Sequence, residues 1–249
     1  MKNCVKNVFL VAIIMFLCCC GDGVKTSKAI VFAVSADYPP FEYFENGEIK
    51  GFDIELARLV AHEIGKEAVF ENVQFSAIFP ALENNLVDAA ISTITITKAH
   101  QENFDFSAPY YPESLATVFM KDAPIIHQDQ LAGKKIVCQL GTTMHEWLKK
   151  HVPEEAIIPM DNSNLVIESV KAGHADVALI DGAQAAIFSQ KNEGLAYAII
   201  AKSDLGYGIV CKKGSPLRNR INQALHVLQA KGEIKKLHKK WLEGVSWKQ

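Results

Sequence analysis

The feature that most constrains the fold is an alternation of strand-like and helix-like segments that occurs twice along the chain. Apolar runs rich in β-branched residues alternate with segments whose apolar residues recur at helical spacing. In the first series the strand-like runs are residues 29–34, 69–73 and 88–97, and the helix-like segments are 53–64 and 76–84. In the second series the strand-like runs are 135–139, 157–158, 176–180 and 197–201, and the helix-like segments are 144–151, 164–172 and 182–190. This alternation predicts α/β units with mostly parallel sheets.

Two such series predict two lobes, each a mostly parallel sheet flanked by helices, joined by two hinge strands. An extended apolar run at residues 116–120 separates the two series, and another at 208–211 follows the second, which suits two crossings between lobes. The last stretch, 217–243, has the pattern of two helices broken at Lys231 and Gly232. The predicted boundaries are 29–110 and 210–249 for lobe 1, 115–205 for lobe 2, and 111–114 and 206–209 for the hinge.

The N-terminus has the pattern of an export signal. Lys2 and Lys6 form a short positive region, and residues 8–17 are a ten-residue apolar stretch. Small residues follow in Leu17-Cys18-Cys19-Cys20-Gly21, and polarity rises at Asp22. A positive start, a short apolar middle and a small-residue end are typical of a cleaved secretory signal. We therefore predict a signal peptide over residues 1–19.

The end of this signal resembles a bacterial lipobox. Cys20 is then the acylated first residue of the mature protein, residues 20–28 are a tether, and the exported protein is held at a membrane surface by its lipid. Cys18 and Cys19 are alternative sites of modification, and an ordinary signal or an interfacial helix is the alternative to the lipoprotein. Elsewhere no apolar run reaches the roughly 18–20 residues that span a bilayer.

Composition and motifs argue against several classes of function. The net charge is −2, from 26 Lys+Arg and 28 Asp+Glu, which does not favour nucleic acid as a partner. The eight histidines lack metal-binding spacings, so neither a metal nor another cofactor is expected. The chain has no GxSxG nucleophile motif, and Gly141-Thr142-Thr143 lacks the lysine of a phosphate-binding loop. Cys138 and Cys211 favour two buried thiols over a disulfide.

Eight short strings occur in an order and at gaps that resemble one known family. They are YPPFE (38–42), GFDIEL (51–56), IFPAL (78–82), TIT (95–97), DFSAPYY (105–111), LAGKK (131–135), QLGTT (139–143) and the segment 232–241. Over nearly all of the mature chain the sequence resembles the polar amino-acid-binding proteins of ABC transporters, which are type II periplasmic binding proteins of the bacterial extracellular solute-binding family 3.

The resemblance implies an exported, monomeric and non-catalytic receptor. Two lobes would close about a hinge on one polar amino acid or related small molecule, and the closed form would be presented to a membrane permease. Two alternatives remain open. One is an exported enzyme on the same scaffold, similar to the cyclohexadienyl or arogenate dehydratases, with His100 or Asp181 as acid or base. The other is a signalling protein whose closed form is recognised by a membrane receptor.

Five candidate ligand contacts lie in the first lobe. The resemblance implies that Tyr38 and Phe75 sandwich the ligand side chain. Ser92, Thr93 and Thr95 follow an apolar strand, where alternation would place Thr93 and Thr95 on one face, and their hydroxyls suit the charged ends of a ligand. The alternative for Tyr38 and Phe75 is packing in the core, and the alternative for the threonines is a strand with a solvated face. Phe41 and Phe52 are assigned to the core, and Glu42 to a structural role.

Four further candidates lie in the second lobe. Gln139, Thr142 and Thr143 resemble the contacts of this lobe, with the N–H groups of a helix start directed at an anion. Asp181 ends an apolar strand and precedes a helix, where its carboxylate suits a ligand ammonium group. The alternative role for Asp181 is a helix N-cap, and the two roles are compatible.

His100 departs from the family pattern. The family has an arginine here that clamps the α-carboxylate of the ligand, and histidine cannot provide two parallel N–H bonds. Thr97 is expected to cap the helix that contains His100, and Lys98 is a further candidate cation. Three interpretations remain: an amino acid held mainly by backbone donors, a ligand that lacks the usual α-carboxylate, or a degenerate site.

Overall fold

The computed structural model describes residues 28–202 and 205–242. The predicted signal peptide and Cys20 lie outside the described residues. The strands are β1 Ala29–Val34, β2 Asp37–Tyr38, β3 Glu42–Glu45, β4 Glu48–Lys50, β5 Glu67–Asn72, β6 Ala89–Ala90, β7 Phe104–Phe106, β8 Ser114–Met120, β9 Ile136–Gln139, β10 Ile157–Met160, β11 Val177–Asp181, β12 Leu195–Lys202 and β13 Val210–Lys212. The helices are α1 Phe52–Glu63, α2 Ile78–Glu83, α3 Lys98–Asn103, α4 Thr143–His151, α5 Ser163–Lys171, α6 Gly182–Lys191, α7 Leu217–Ala230 and α8 Glu233–Leu242.

The first large sheet has the order β5-β1-β6-β13-β7. β1 is parallel to β5 and β6, and β13 is antiparallel to both of its neighbours. One face of the sheet packs against α1, α7 and α8, and the other packs against α2. Both faces are covered because β1 is an almost continuously apolar run, as strands of mostly parallel sheets are.

The second large sheet has the order β10-β9-β11-β8-β12. β9 is parallel to β10 and β11, and β8 is antiparallel to β11 and β12. Helices α5 and α6 cover one face, and α4 covers the other. The two large sheets, each with helices on both faces, confirm the predicted two-lobed α/β fold.

The chain passes between the lobes twice. The first crossing lies between β7 and β8, and the second lies between β12 and β13. The two crossings meet at Tyr207, which makes isolated antiparallel bridges with Thr95 and Tyr111. The crossings are adjacent, as two hinge strands would be, and the lobe boundaries themselves stay a prediction.

Several local expectations are confirmed. The C-terminal segment forms two helices, α7 and α8, separated at Lys231 and Gly232. Thr97 caps α3 by accepting a hydrogen bond from His100 N. Phe41 and Phe52 are fully buried in the core. Cys138 and Cys211 are buried free thiols, each in a different sheet.

Other local expectations were wrong. The strand predicted over residues 88–97 is limited to β6, because the chain turns at Thr93, whose φ is +47°. The helix predicted over 53–64 begins one residue earlier, at Phe52, with Gly51 as its N-cap, and Asp53 is buried. The small sheet β2-β3-β4 was not predicted. Within residues 28–202 and 205–242 no helix is both long and apolar enough to cross a membrane.

Candidate ligand-binding cleft

A narrow cleft lies where residues of the two lobes face each other. The first lobe contributes Tyr38, Phe75, Thr93, Ile94, Thr95 and His100, and the second contributes Gln139, Gly141, Thr142, Thr143 and Met144. The two crossings contribute Glu113 and Tyr207. The open volume of the cleft is about 20 Å³, which is room for a water molecule. An amino acid therefore enters only if the two walls separate.

Eight of the ten residues predicted to contact a ligand line this cleft. They are Tyr38, Phe75, Thr93, Thr95, His100, Gln139, Thr142 and Thr143. Ser92 is fully buried and does not line the cleft, and Asp181 is buried close to two tyrosines that do, Tyr38 and Tyr207. The predicted residues of the two lobes thus converge on one place.

Two buried carboxyl groups hold the loop that carries Thr93. Thr93 N donates a hydrogen bond of 2.9 Å to Asp53 Oδ2, which also accepts one of 2.7 Å from Tyr110 Oη. Ser92 Oγ donates to Glu42 Oε1 over 2.8 Å. Ser92 therefore supports the loop from behind, because its hydroxyl is engaged by Glu42 and not directed at a ligand.

Glu42 and Asp53 interact with each other in a buried site, which favours one protonated and one ionised carboxyl group. Burial and the charge of Asp53 raise the pKa of Glu42 well above its usual range, and burial raises the pKa of Asp53 to about 6. Glu42 Oε2 and Asp53 Oδ1 have no other partner among the described residues. A shared proton satisfies both oxygens, whereas two ionised carboxylates would offer no donor.

His100 is half-buried in the first wall and is neutral. Its Nδ1 lies 3.2 Å from Thr95 O, and because a carbonyl only accepts, Nδ1 carries the proton. The ring packs against Phe79, with the centroids 4.6 Å apart. Burial lowers the pKa of His100, although the Thr95 carbonyl and Glu146 oppose the change. Lys98 is exposed and does not line the cleft.

The second wall is the N-terminus of α4. Thr142 caps this helix: its Oγ1 accepts a hydrogen bond from His145 N and donates one of 2.7 Å to Gln139 O. Thr143, the first helical residue, lies 3.1 Å from Thr95 across the cleft, measured between the Oγ1 atoms. The helix start predicted from QLGTT therefore does face the first lobe.

Asp181 is the N-cap of α6. Its Oδ1 accepts hydrogen bonds from Ala183 N (2.6 Å) and Gln184 N (3.4 Å). Its Oδ2 is buried and makes no clear hydrogen bond within the described part of the chain, although the Tyr207 hydroxyl lies close to the carboxylate. Burial raises the pKa of Asp181 to about 7, and the Tyr207 hydroxyl opposes the rise.

Sequence reasoning missed Glu113 and Tyr207, and it did not predict that Asp37 would bond to the second lobe. Glu113 and Tyr207 line the floor of the cleft and belong to the segments predicted as hinges. Glu113 Oε1 accepts hydrogen bonds from Thr95 Oγ1 (2.5 Å) and Thr143 Oγ1 (2.9 Å), one from each lobe. Asp37 Oδ2 accepts one of 2.8 Å from Ser163 N, across the cleft. The only signal in the sequence was the position of the first two in the crossings.

Comparison with known proteins decides the family. Residues 30–244 match the bacterial extracellular solute-binding proteins, family 3. The chain belongs to this family. The described residues of this family 3 protein contain no cluster of three or more His, Cys, Asp or Glu side chains able to hold a metal ion.

Similar proteins are named for amino-acid binding. The arginine-binding extracellular protein ArtP of Bacillus subtilis is 32% identical over 253 aligned positions, covering 98% of this chain and 99% of that protein. The ABC transporter glutamine-binding protein GlnH of the same organism is 30% identical, covering 88% and 83%. The structure of an ancestral arginine-binding protein bound to arginine has a TM-score of 0.81 at 32% identity, covering 86% and 98%. The chain is thus an amino-acid-type solute-binding protein of ABC transport.

Proposed function

We propose that this protein captures one small polar solute that carries an amino group, either an amino acid or a related molecule, and presents it to an ABC permease. The observation that carries the proposal is the cleft that both lobes build. Thr95 of the first wall and Thr143 of the second are 3.1 Å apart, and both bond to Glu113 of the crossing between them. Separation of the lobes breaks this contact and opens the site.

The proposed closure turns on the two crossings, residues 111–114 and 206–209. Opening there moves the walls apart without disturbing the large sheets, since the segments lie between them. A ligand needs more room than the present 20 Å³ or so, and the walls of the ligand-bound form would therefore stand further apart. In that form Tyr38 and Phe75 would stack on the ligand, Thr93 and Thr95 would contact it from the first lobe, and Gln139, Thr142 and Thr143 would contact it from the second. Closure traps the ligand, and the permease recognises the closed shape.

The relatives support this class of ligand. ArtP is named for arginine and GlnH for glutamine, and the ancestral binding protein was determined with arginine. Basic and neutral polar amino acids are therefore the first solutes to test.

We also propose that the protein is not an enzyme. A dehydratase on this scaffold would need an acid or base, and His100 and Asp181 were the candidates. His100 donates its Nδ1 proton to Thr95 O, and Asp181 Oδ1 accepts a hydrogen bond at the start of α6. The protein would act outside the cytoplasm as a monomer, anchored through a lipid on Cys20.

The test is a calorimetric and thermal-denaturation panel of amino acids and related amines, with mass spectrometry of the mixture after incubation. One solute should bind at one equivalent, raise Tm, and be recovered unchanged. At a ligand concentration of 100 Kd the free energy of unfolding rises by about 2.7 kcal/mol.

Two phenylalanine variants test the cleft itself. Phe75→Ala should weaken binding about tenfold or more, and Phe44→Ala, on an exposed phenylalanine outside the cleft, should leave it unchanged. Turnover, or equal effects of the two variants, would contradict the proposal.

A further inference from the structure

Glu113 places a carboxylate of the chain itself in the middle of the cleft. The side chain is 4% exposed, and its Oε1 accepts from the hydroxyls of Thr95 and Thr143. Thr95 was expected to offer its hydroxyl to a charged end of the ligand, and Thr143 was expected to contact the ligand from a helix start. The structure instead has both of them bonded to an internal carboxylate oxygen.

The same carboxylate lies at the start of α4. Thr143 is the first residue of this nine-residue helix, and helix N-termini favour negative charge. A ligand α-carboxylate would be attracted to this place for the same reason. Since Glu113 bonds to Thr143 there, a second carboxylate would meet a like charge at short range.

No cation in the described part of the cleft would offset that repulsion. Its lining residues include no lysine or arginine. His100 stands where the family pattern has an arginine; it is neutral, and its one N–H proton, on Nδ1, is already donated to Thr95 O. The first wall therefore offers no charged donor to a carboxylate.

The rest of the cleft favours positive charge. Asp181 lies close to Tyr38 and Tyr207, and its Oδ2 makes no clear hydrogen bond among the described residues. A cation bound in the cleft would favour the ionised form of this carboxyl group over the protonated one. Tyr38, Phe75 and Tyr207 present aromatic rings to the cleft. Ring faces attract ammonium and guanidinium groups.

We propose that the preferred ligand is an organic cation without a carboxylate, an alkyl amine or alkyl guanidine, and that Glu113 takes the place a ligand carboxylate would occupy. This inference rests on the proposed solute-binding function and narrows its ligand class. It follows from one juxtaposition. The Glu113 carboxylate lies at the start of α4, and the histidine that lines the same cleft, His100, cannot clamp the carboxylate of a ligand.

Matched pairs that differ only in the carboxylate test the inference. Agmatine is compared with arginine, putrescine with ornithine, and cadaverine with lysine, by calorimetry on the purified protein after removal of copurified solutes by partial unfolding and refolding. We expect at least one amine to bind ten times or more tightly than its amino acid. If arginine, ornithine and lysine each bind at least as tightly as their amines, the inference is wrong while the proposed function stands.

Two variants place the effect on the named residues. His100→Arg should strengthen binding of the amino acid and weaken binding of the amine, narrowing or reversing the preference. His62→Arg is the matched control, because His62 is an exposed histidine in α1 away from the cleft, and it should change neither affinity. Glu113→Gln should shift the preference in the same direction as His100→Arg. An unchanged ratio in both cleft variants would overturn the inference, and failure of every amine and amino acid to bind would overturn both it and the proposed function.

Discussion

The two lobes have the same strand arrangement but hold their walls of the cleft in different ways. In each sheet three parallel strands are followed by one antiparallel strand that enters from the other lobe, and then by an edge strand. In the first lobe, loop residues are fixed by the buried pair Glu42 and Asp53. In the second lobe, helix starts are fixed one at a time by Thr142, Asn162 and Asp181.

The difference teaches how each wall would respond to damage. The buried pair satisfies several groups at once, so removal of one member leaves donors and a carboxyl group unsatisfied in a dry interior. A helix cap satisfies one or two N–H groups of one helix, and its loss costs typically about 1 kcal/mol. The first wall should therefore be more fragile than the second, although both rest on buried aspartates.

The largest expected effect is that of Asp53→Ala compared with Asp181→Ala. Both aspartates are at least 99% buried. At pH 7, Asp53→Ala should lower the free energy of unfolding by about 4 kcal/mol, because Thr93 N, Tyr110 Oη and Glu42 all lose a partner. Asp181→Ala should lower it by about 1 kcal/mol through the lost cap of α6. Urea denaturation measures both.

Equal losses in these two variants would contradict the distinction between the lobes. Glu42→Gln serves as the internal control: its amide N–H can donate to Asp53 where the shared proton did, so we expect it to lose much less stability than Asp53→Ala.

The pH dependence of the free energy of unfolding tests the buried aspartate of the second lobe, Asp181. The pKa of Asp181 is about 7 in the folded protein and about 3.9 in an unfolded chain. Between these values only the folded state holds the proton, so the contribution of Asp181 to stability falls as pH rises from about 4 to about 7. Asp181→Asn keeps the cap and cannot titrate.

The difference in stability between Asp181→Asn and the wild type should therefore shift in favour of the variant as pH rises. One pKa unit corresponds to about 1.4 kcal/mol, so even half of the rise gives about 2 kcal/mol across the window. Urea titrations at four pH values between 4.5 and 7.5 measure the shift. Titration of Glu42 and Asp53 affects the stability of the variant and of the wild type equally, so it cancels in the difference between them. A difference that stays constant with pH would show that Asp181 does not hold its proton.

The second lobe was also the easier one to predict from sequence. Its helices begin shortly after apolar strands, so Thr142 and Asp181 could be placed at helix starts from the local pattern. The first lobe was harder because Thr93 adopts a left-handed backbone, which no periodicity signals. Its stabilising partners, Glu42 and Asp53, come from 51 and 40 residues away.

The floor of the cleft was not predictable in the same sense. Glu113 and Tyr207 lie in crossing segments, where neither helical nor strand periodicity assigns a face. Their roles arise from a contact between distant parts of the chain, as in the bridges of Tyr207 with Thr95 and Tyr111. Resemblance to a family supplied the positions that match its motifs, and Glu113 lies outside the strings that carried that resemblance.

The smallest expected effect concerns the direct contact between the lobes at Asp37. Its Oδ2 accepts from Ser163 N (2.8 Å) at the start of α5 and from Gln139 Nε2 (3.4 Å), and its carbonyl oxygen accepts from Ser163 Oγ (2.7 Å). All three donors belong to the other lobe, so these bonds stabilise only the closed form. A hydrogen bond to a charged group contributes about 1.5 kcal/mol or more, and Asp37→Ala should weaken ligand binding about tenfold.

Asp37→Asn is the control for this prediction. It retains an acceptor for Ser163 N and should weaken binding less. Calorimetry measures the affinities and small-angle X-ray scattering measures the closed fraction; unchanged affinity in Asp37→Ala would mean that the ligand alone holds the two lobes together.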